Sequence, residues 1–293
     1  MLNMDLEEKS AIALKQIDKA IDSILPPPDT RPNKLHEAML YSIKAGGKRI
    51  RPILLLAAYE LFPSNIDPLP AAIAIECIHT YSLIHDDLPS IDDSDLRRGN
   101  PTCHKQFDEP TALLAGDALL TYAFEILAKH YQPQIAIKLV QLLSSASGSE
   151  HLIGGQMEDI LGENKSLSEN DLNFIHQNKT AALIICSLEM GITMSDSDEV
   201  IHAKIREVGQ RIGLVFQIID DILDATSDVK TLGKDVKQDE KNQKSTYVKL
   251  FGLEESKEKA KAITHEAIIL CREIGGQNEW LIQLIQMLEH RIK

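Results

Sequence analysis

IHTYSLIHDDLPSIDD, residues 78–93, carries an apolar run of helical spacing straight into an acidic cluster. IGLVFQIIDDILD, residues 212–224, repeats the arrangement. In both, carboxylates stand at the C-terminal end of a helix (Ile78 to His85, then Ile212 to Ile219), where the helix dipole disfavours negative charge. Carboxylates at the mouth of an apolar face are costly unless something neutralises them. One such end reads equally well as a solvated helix terminus. Two in one chain favour bound cations.

The helical period extends outward from these two stretches. It runs through Asp5 to Leu25, Lys34 to Ala45, Leu69 to Asp87, Thr111 to His130, Gln134 to Ser147, Ser168 to Gly191, Ser197 to Asp224, and Glu254 to the end. Breakers separate the runs: Pro26-Pro27-Pro28, Gly46-Gly47, Pro63, Pro133, Gly162 and Gly191. Ser168 followed by Asp171 predicts a capped helix start. Aromatics make up only 4% of the chain, strand-like alternation is hard to find, and the apolar mass is Leu, Ile and Ala. The expectation is an all-α protein, one domain over residues 1–293.

The formal net charge of -13 excludes nucleic acid as a partner. An anionic substrate would need a metal or a local cationic cluster. Cys77, Cys103, Cys186 and Cys271 form no C-x-x-C pair and match no zinc spacing, so they read as reduced thiols. Met1 to Ser10 has no apolar signal-like region, and no stretch suggests stable membrane insertion. A cytoplasmic location is expected.

Helical geometry puts Asp220 and Asp224 on one face, with Gln217 one turn earlier. His79 shares a face with Asp86, seven residues later. Pro89 disfavours helix at Leu88, so Asp92 must return to Asp86 and Asp87 through a turn. All-oxygen donors select a hard cation, Mg²⁺ before Ca²⁺. Mg²⁺ takes one or two carboxylates and completes its shell with water and substrate phosphates, so paired aspartate clusters imply a diphosphate. Positive charge gathers nearby in GGKRIRP (46–52), with Lys48 and Arg51 three apart, and in Arg97-Arg98-Gly99. Lys179-Thr180 and Gly233-Lys234-Asp235 complete the set. Each alone is an ordinary surface charge; the combination suits phosphate.

At this point the chain resembles the trans-isoprenyl diphosphate synthases, most closely the bacterial farnesyl diphosphate synthases (geranyltranstransferases). The matching stretches are GGKRIRP (46–52), ECIHTYSLIHDDLPSIDDSDLRRGNPTCHKQFDE (76–109), LLAGDALL (113–120), GGQMED (154–159), NKTAALI (178–184) and GLVFQIIDDILD (213–224). LGKD (232–235) and KSTY (244–247) follow in family order. The resemblance implies about a dozen helices around a deep central cavity, a homodimer, and Mg²⁺-dependent head-to-tail condensation of isopentenyl diphosphate with an allylic diphosphate. It implies that Asp86 and Asp92 bind two magnesium ions, with Asp87 beside them. Asp220, supported by Asp221 and Asp224, would bind a third. It places Arg97, Lys179 and Lys234 on the allylic diphosphate, with Thr180 and Gln217 nearby, and Lys48, Arg51, His79 and Arg98 on isopentenyl diphosphate. Four positions depart from the family: Ser94, Asn100, Lys237 and Val248.

In that family the residues before the first aspartate cluster set product length; here they are Tyr81 and Ser82. Tyr81 lies roughly 7 Å below the metal site along the helix. This pattern resembles enzymes that make the C15 product, although ideal geometry turns Ser82 nearer the Asp86 face than Tyr81. Geranyl and geranylgeranyl diphosphate are the alternative products. The rivals from other classes are a terpene cyclase and a silent regulatory subunit. Intact Asp220-Asp221 and GGKRIRP disfavour both.

Overall fold

The computed structural model describes residues 6–163, 165, 167–195, 197–226 and 246–289. The fold is all-α, with one tiny hairpin among the described residues. The chain divides into two compact units.

The first unit comprises residues 6–53 and 67–140 of the described chain. It contains α1 (Leu6–Ile24), α2 (Asn33–Lys44), the start of α3 (Ile50–Tyr59), α4 (Leu69–Asp86), α5 (Cys103–Gln106), α6 (Glu109–His130) and the start of α7 (Pro133–Ser147). The hairpin β1 (Leu96–Arg97) and β2 (Asn100–Pro101) lies between α4 and α5. Helix α4 is the axis of this unit. It is apolar nearly all round and buried from Pro70 to Ile78, because α1, α2 and α6 pack against it. The Asp67 carboxylate caps its start by accepting from Leu69 N at 3.0 Å.

Helix α6 is long and apolar enough to cross a bilayer, but it lies along α4. Its buried Ala112, Ala115, Leu119, Ala123 and Ile126 recur at helical spacing, as in the core helix of a globular unit.

The second unit holds residues 54–66, the described part of 141–226, and 246–289. Its helices are α8 (Leu152–Gly162), α9 (Glu169–Ile175), α10 (Ala182–Thr193), α11 (Glu199–Thr226), α12 (Tyr247–Phe251), α13 (Leu253–Ile274) and α14 (Glu279–Glu289). A π-helical turn, His176–Ala181, joins α9 to α10. Leu172, Val215, Ile218, Ile219, Ile222, Tyr247 and Ala260 form a core around α11.

Several expectations hold, among them the start of α4 and the Ser168–Asp171 capping box of α9. Others need correction. The run from Ser168 to Gly191 is not one helix, because the π-turn interrupts it. The run from Glu254 onward breaks at Gly275 and Gly276, both at positive φ. Four helices were not anticipated, α3, α5, α8 and α12, and Gly191, expected as a breaker, lies inside α10. In α3, Pro52 sits in the first turn, where a missing N–H is harmless. In α8, Gly155 leaves room for the Lys179 backbone, with which a Cβ there would collide.

The same logic makes Gly191 a test of packing. A Cβ there would lie 2.5 Å from Leu55 O and 2.8 Å from Ala58 Cβ and Tyr59 N. Gly191→Val is expected to destabilise the protein by about 1–3 kcal/mol. Urea unfolding should show a lower midpoint at unchanged slope; an unaltered midpoint would contradict this contact.

Candidate active site

Helix α4 stops where Pro89 requires, with Asp87 N still bonded to Leu83 O at 3.1 Å. The chain then folds back on the helix end. Asp92 N donates to Asp86 O at 2.9 Å, Asp93 N to Leu88 O at 3.1 Å, and Ser94 N to Asp87 O at 3.2 Å. The turn expected from sequence therefore returns Asp92 to Asp86, and both are half-buried.

Asp87 has a different environment. It is buried, and Arg97 grips it through Nε at 3.0 and 2.8 Å and Nη2 at 2.7 Å. The hairpin makes this grip. Arg98 and Gly99 form its turn at positive φ, which sends Arg97 back to the helix end. Burial works against the Arg97 charge. The Asp87 hydrogen bonds, with the charges of Asp87, Asp86 and Asp92, outweigh it and hold the guanidinium pKa above its ordinary value.

The proposed isopentenyl-side cations surround one loop of the same unit. Lys48 is exposed between α2 and α3. Arg51 Nη1 lies 3.4 Å from His79 Nε2, and Arg98 donates to Gly46 O. A side chain at Gly47 would strike the Arg98 guanidinium. Burial, then Arg51, Arg98, Arg97 and Arg49, push the His79 pKa well below its ordinary value, so His79 is neutral at pH 7.

Tyr81 is buried, and its hydroxyl has no hydrogen-bond partner among the described residues. Its ring meets His85 edge-on at 5.8 Å. Burial, then the Asp86 charge, raises its pKa to about 12. Ser82 Oγ donates back to His79 O at 2.9 Å and so is turned onto its own helix.

In the second unit, α11 repeats the division seen on α4. Asp220 and Asp224 are half-buried, while Asp221 is buried. Asp221 accepts from Gln217 Nε2 at 3.0 Å and from Tyr247 N at 2.8 Å. Gln217 thus pairs with Asp221 rather than with Asp220, and its Oε1 accepts from Thr180 Oγ1 at 3.1 Å. The π-turn carries Thr180 and Lys179, and Lys179 Nζ is 2.7 Å from Asp159 Oδ2. Gly155 and Gly213 let α8 and α11 close on this turn. A small cavity of about 130 Å³ is lined by Asp159, His176, Lys179, Thr180, Gln217, Asp221 and Thr246 among others. Lys234, Lys237 and Arg291 to Lys293 lie outside the described residues.

Sequence reasoning missed Asp159 and His176. Asp159 sat inside the quoted GGQMED stretch without a role. His176, the residue three before Lys179, is buried, and its Nε2 has no partner among the described residues. Only the fold, by stacking it on Tyr247 at 5.8 Å, sets it apart.

Among the described residues no three His, Cys, Asp or Glu side chains converge closely enough to hold a metal alone. The donor set still suits Mg²⁺. Each cluster offers two half-buried carboxylates and no sulfur or imidazole ligand, and Mg²⁺ takes its remaining donors from water and phosphate.

Residues 32–274 match the Polyprenyl synthetase family. The chain is 44% identical over 291 residues to a farnesyl diphosphate synthase of Micrococcus luteus, covering 98% of this chain and 100% of that protein. It is 47% identical over 261 residues to a heterodimeric geranylgeranyl pyrophosphate synthase large subunit of Arabidopsis thaliana, covering 86% of this chain and 70% of that one. A Helicobacter pylori geranyltransferase, solved with magnesium and isoprenyl diphosphate, superimposes with a TM-score of 0.85 at 33% identity, covering 98% and 97% of the two chains.

The buried histidines make stability depend on pH. Burial holds His176 at about 4, with Lys179 also lowering it and Asp159 opposing. An unfolded histidine titrates near 6.5, so below that pH the unfolded chain binds a proton that the native state refuses. The stabilisation is complete above about 6.5 and is lost as pH falls toward 4. Between pH 7 and 5, His176→Gln should lose about 2 kcal/mol less than the parent in urea unfolding. Equal losses would contradict this protonation state.

Proposed function

Because the chain belongs to the Polyprenyl synthetase family and is a prenyltransferase, we propose that it makes farnesyl diphosphate. It joins isopentenyl diphosphate head-to-tail to dimethylallyl and then geranyl diphosphate. The observation that carries this reading is the shared organisation of α4 and α11. Each buries one aspartate in protein hydrogen bonds and keeps two others half-buried at the helix end. A solvated helix terminus gains nothing from fixing its middle carboxylate in this way.

In this reading residues 1–293 are one synthase domain. Asp86, Asp92, Asp220 and Asp224 would hold the magnesium ions, three in this reading. When bound, magnesium orients the allylic diphosphate and stabilises the charge that develops as the allylic C–O bond breaks. Lys179 with Arg97 and Lys234 binds the same group. Lys48, Arg51 and Arg98 hold isopentenyl diphosphate, and a neutral His79 serves there as a hydrogen-bond partner. Its double bond attacks the allylic cation, and released pyrophosphate takes the proton. The aliphatic surroundings exclude water that would quench the cation. The family's named relatives make C15 and C20 products, so length rests on Tyr81. Its buried ring at the Asp86 end of α4 supports a short pocket.

A soluble, cytoplasmic homodimer fits the surface. In the second unit, α8 exposes Ile153, Met157, Ile160 and Leu161 at helical spacing, and in the first, α6 exposes Leu113 and Leu114.

Incubation with labelled isopentenyl diphosphate and dimethylallyl diphosphate tests the reaction. Label should become acid-labile and extractable only with Mg²⁺, and Asp86→Ala should lower turnover by at least 100-fold (about 2.7 kcal/mol) with little loss of folding. Turnover in excess chelator would contradict the reading. Tyr81→Ala should lengthen the dephosphorylated product from C15 to C20 or beyond on chromatography; an unaltered product would remove Tyr81 as the floor.

A further inference from the structure

Between the proposed isopentenyl diphosphate ligands Lys48 and Arg51 stands Arg49, which points the other way. Its side chain is 4% exposed and that of its partner Glu76 is 3% exposed. Arg49 Nη1 donates to Glu76 Oε1 at 2.7 Å, and Nη2 donates to Ile43 O at 2.5 Å. A second carboxylate, Asp18, lies 3.7 Å away and is exposed. Arg49 adopts φ 48, a conformation costly for a side chain with a Cβ. Such a conformation persists only where the surroundings over-determine it.

The consequences run in both directions along the chain. Arg49 O accepts the first helical bond of α3, from Ile53 N at 3.0 Å, so fixing Arg49 fixes where α3 begins and hence where Arg51 points. Toward the N-terminus, Gly46 and Gly47 take φ 86 and 123 and meet the Arg98 guanidinium. Glu76 lies one turn before His79 on α4. One buried ion pair therefore ties the loop bearing Lys48 and Arg51 to the helix bearing His79.

We propose that Arg49 and Glu76 are a positioning pair for the isopentenyl diphosphate subsite, setting the register of Lys48 and Arg51 against His79 and Arg98. The inference rests on the function proposed above. Net stability does not explain such a pair, since well-packed apolar replacements of buried ion pairs are often neutral or stabilising. Glu76 does supply the charge that lets Arg49 be buried near Arg98. A pure charge role and a positioning role predict opposite results: removing a buried anion would strengthen diphosphate attraction, whereas releasing the loop would weaken it.

The test compares the parent with Arg49→Met/Glu76→Met, Glu76→Gln and Arg49→Lys. Each is assayed for condensation at varied isopentenyl diphosphate and at varied geranyl diphosphate, with thermal unfolding alongside. The double variant should unfold within a few degrees of the parent, raise KM for isopentenyl diphosphate at least 10-fold, and shift KM for geranyl diphosphate less than 2-fold. Arg49→Lys, which keeps the ion pair but not the second hydrogen bond, should fall between. Unchanged KM values in the folded double variant would reduce the pair to structure, and a lowered KM for isopentenyl diphosphate in Glu76→Gln would make it a charge device. Equal rises in both KM values would also overturn the proposal. If the parent itself fails to condense the two substrates, the function reading fails instead, and calorimetric binding of isopentenyl diphosphate to parent and double variant then decides the pair separately.

Discussion

Asp87 held by Arg97 is the interaction on which the first unit's functional face depends. A buried carboxylate with no partner would be prohibitive, and a guanidinium that grips both oxygens removes that cost. The pair also fixes geometry. It ties the end of α4 to the hairpin, closes the Leu88 to Asp95 loop between them, and so sets where Asp86 and Asp92 stand. In the second unit, Gln217 and the Tyr247 backbone do the same for Asp221. In each cluster one carboxylate is spent on architecture, which leaves the half-buried neighbours at fixed positions for cations. Preorganisation of this kind allows charge to be stabilised without rearrangement as it develops.

Much of this was legible in the sequence because it follows from local rules. Pro89 ends α4, Ser168 and Asp171 cap α9, and helical spacing places Asp220 beside Asp224. The motif order pointed to the family that the comparisons then showed. What escaped depends on contacts remote in sequence. The π-turn at His176–Ala181 breaks no hydrophobic period, so it is visible only through the glycines that let α8 and α11 approach it. Gln217 looked like a companion of Asp220 by angle, yet it turned to Asp221 because Thr180 and the cavity lie on that side. Arg49 carried no role in the basic run, and its inward direction became clear only with Glu76 opposite.

The two units carry complementary chemistry. The first presents the cations proposed for isopentenyl diphosphate and a tyrosine proposed to limit the product. The second presents Lys179, Thr180 and Gln217 around a small cavity. A condensation reaction needs one group to ionise the allylic substrate and another to hold the nucleophile. Joint action of the two units through divalent ions on one diphosphate is the central claim.

That claim is tested most directly by a double-mutant cycle on Asp86→Asn and Asp220→Asn, reading the calorimetric affinity for the non-reactive geranyl thiodiphosphate at saturating Mg²⁺. The account predicts strong coupling, with the double variant losing at least about 1 kcal/mol less than the two single losses added together. Strict additivity would mean that the two aspartate clusters act on separate ligands, and would contradict it.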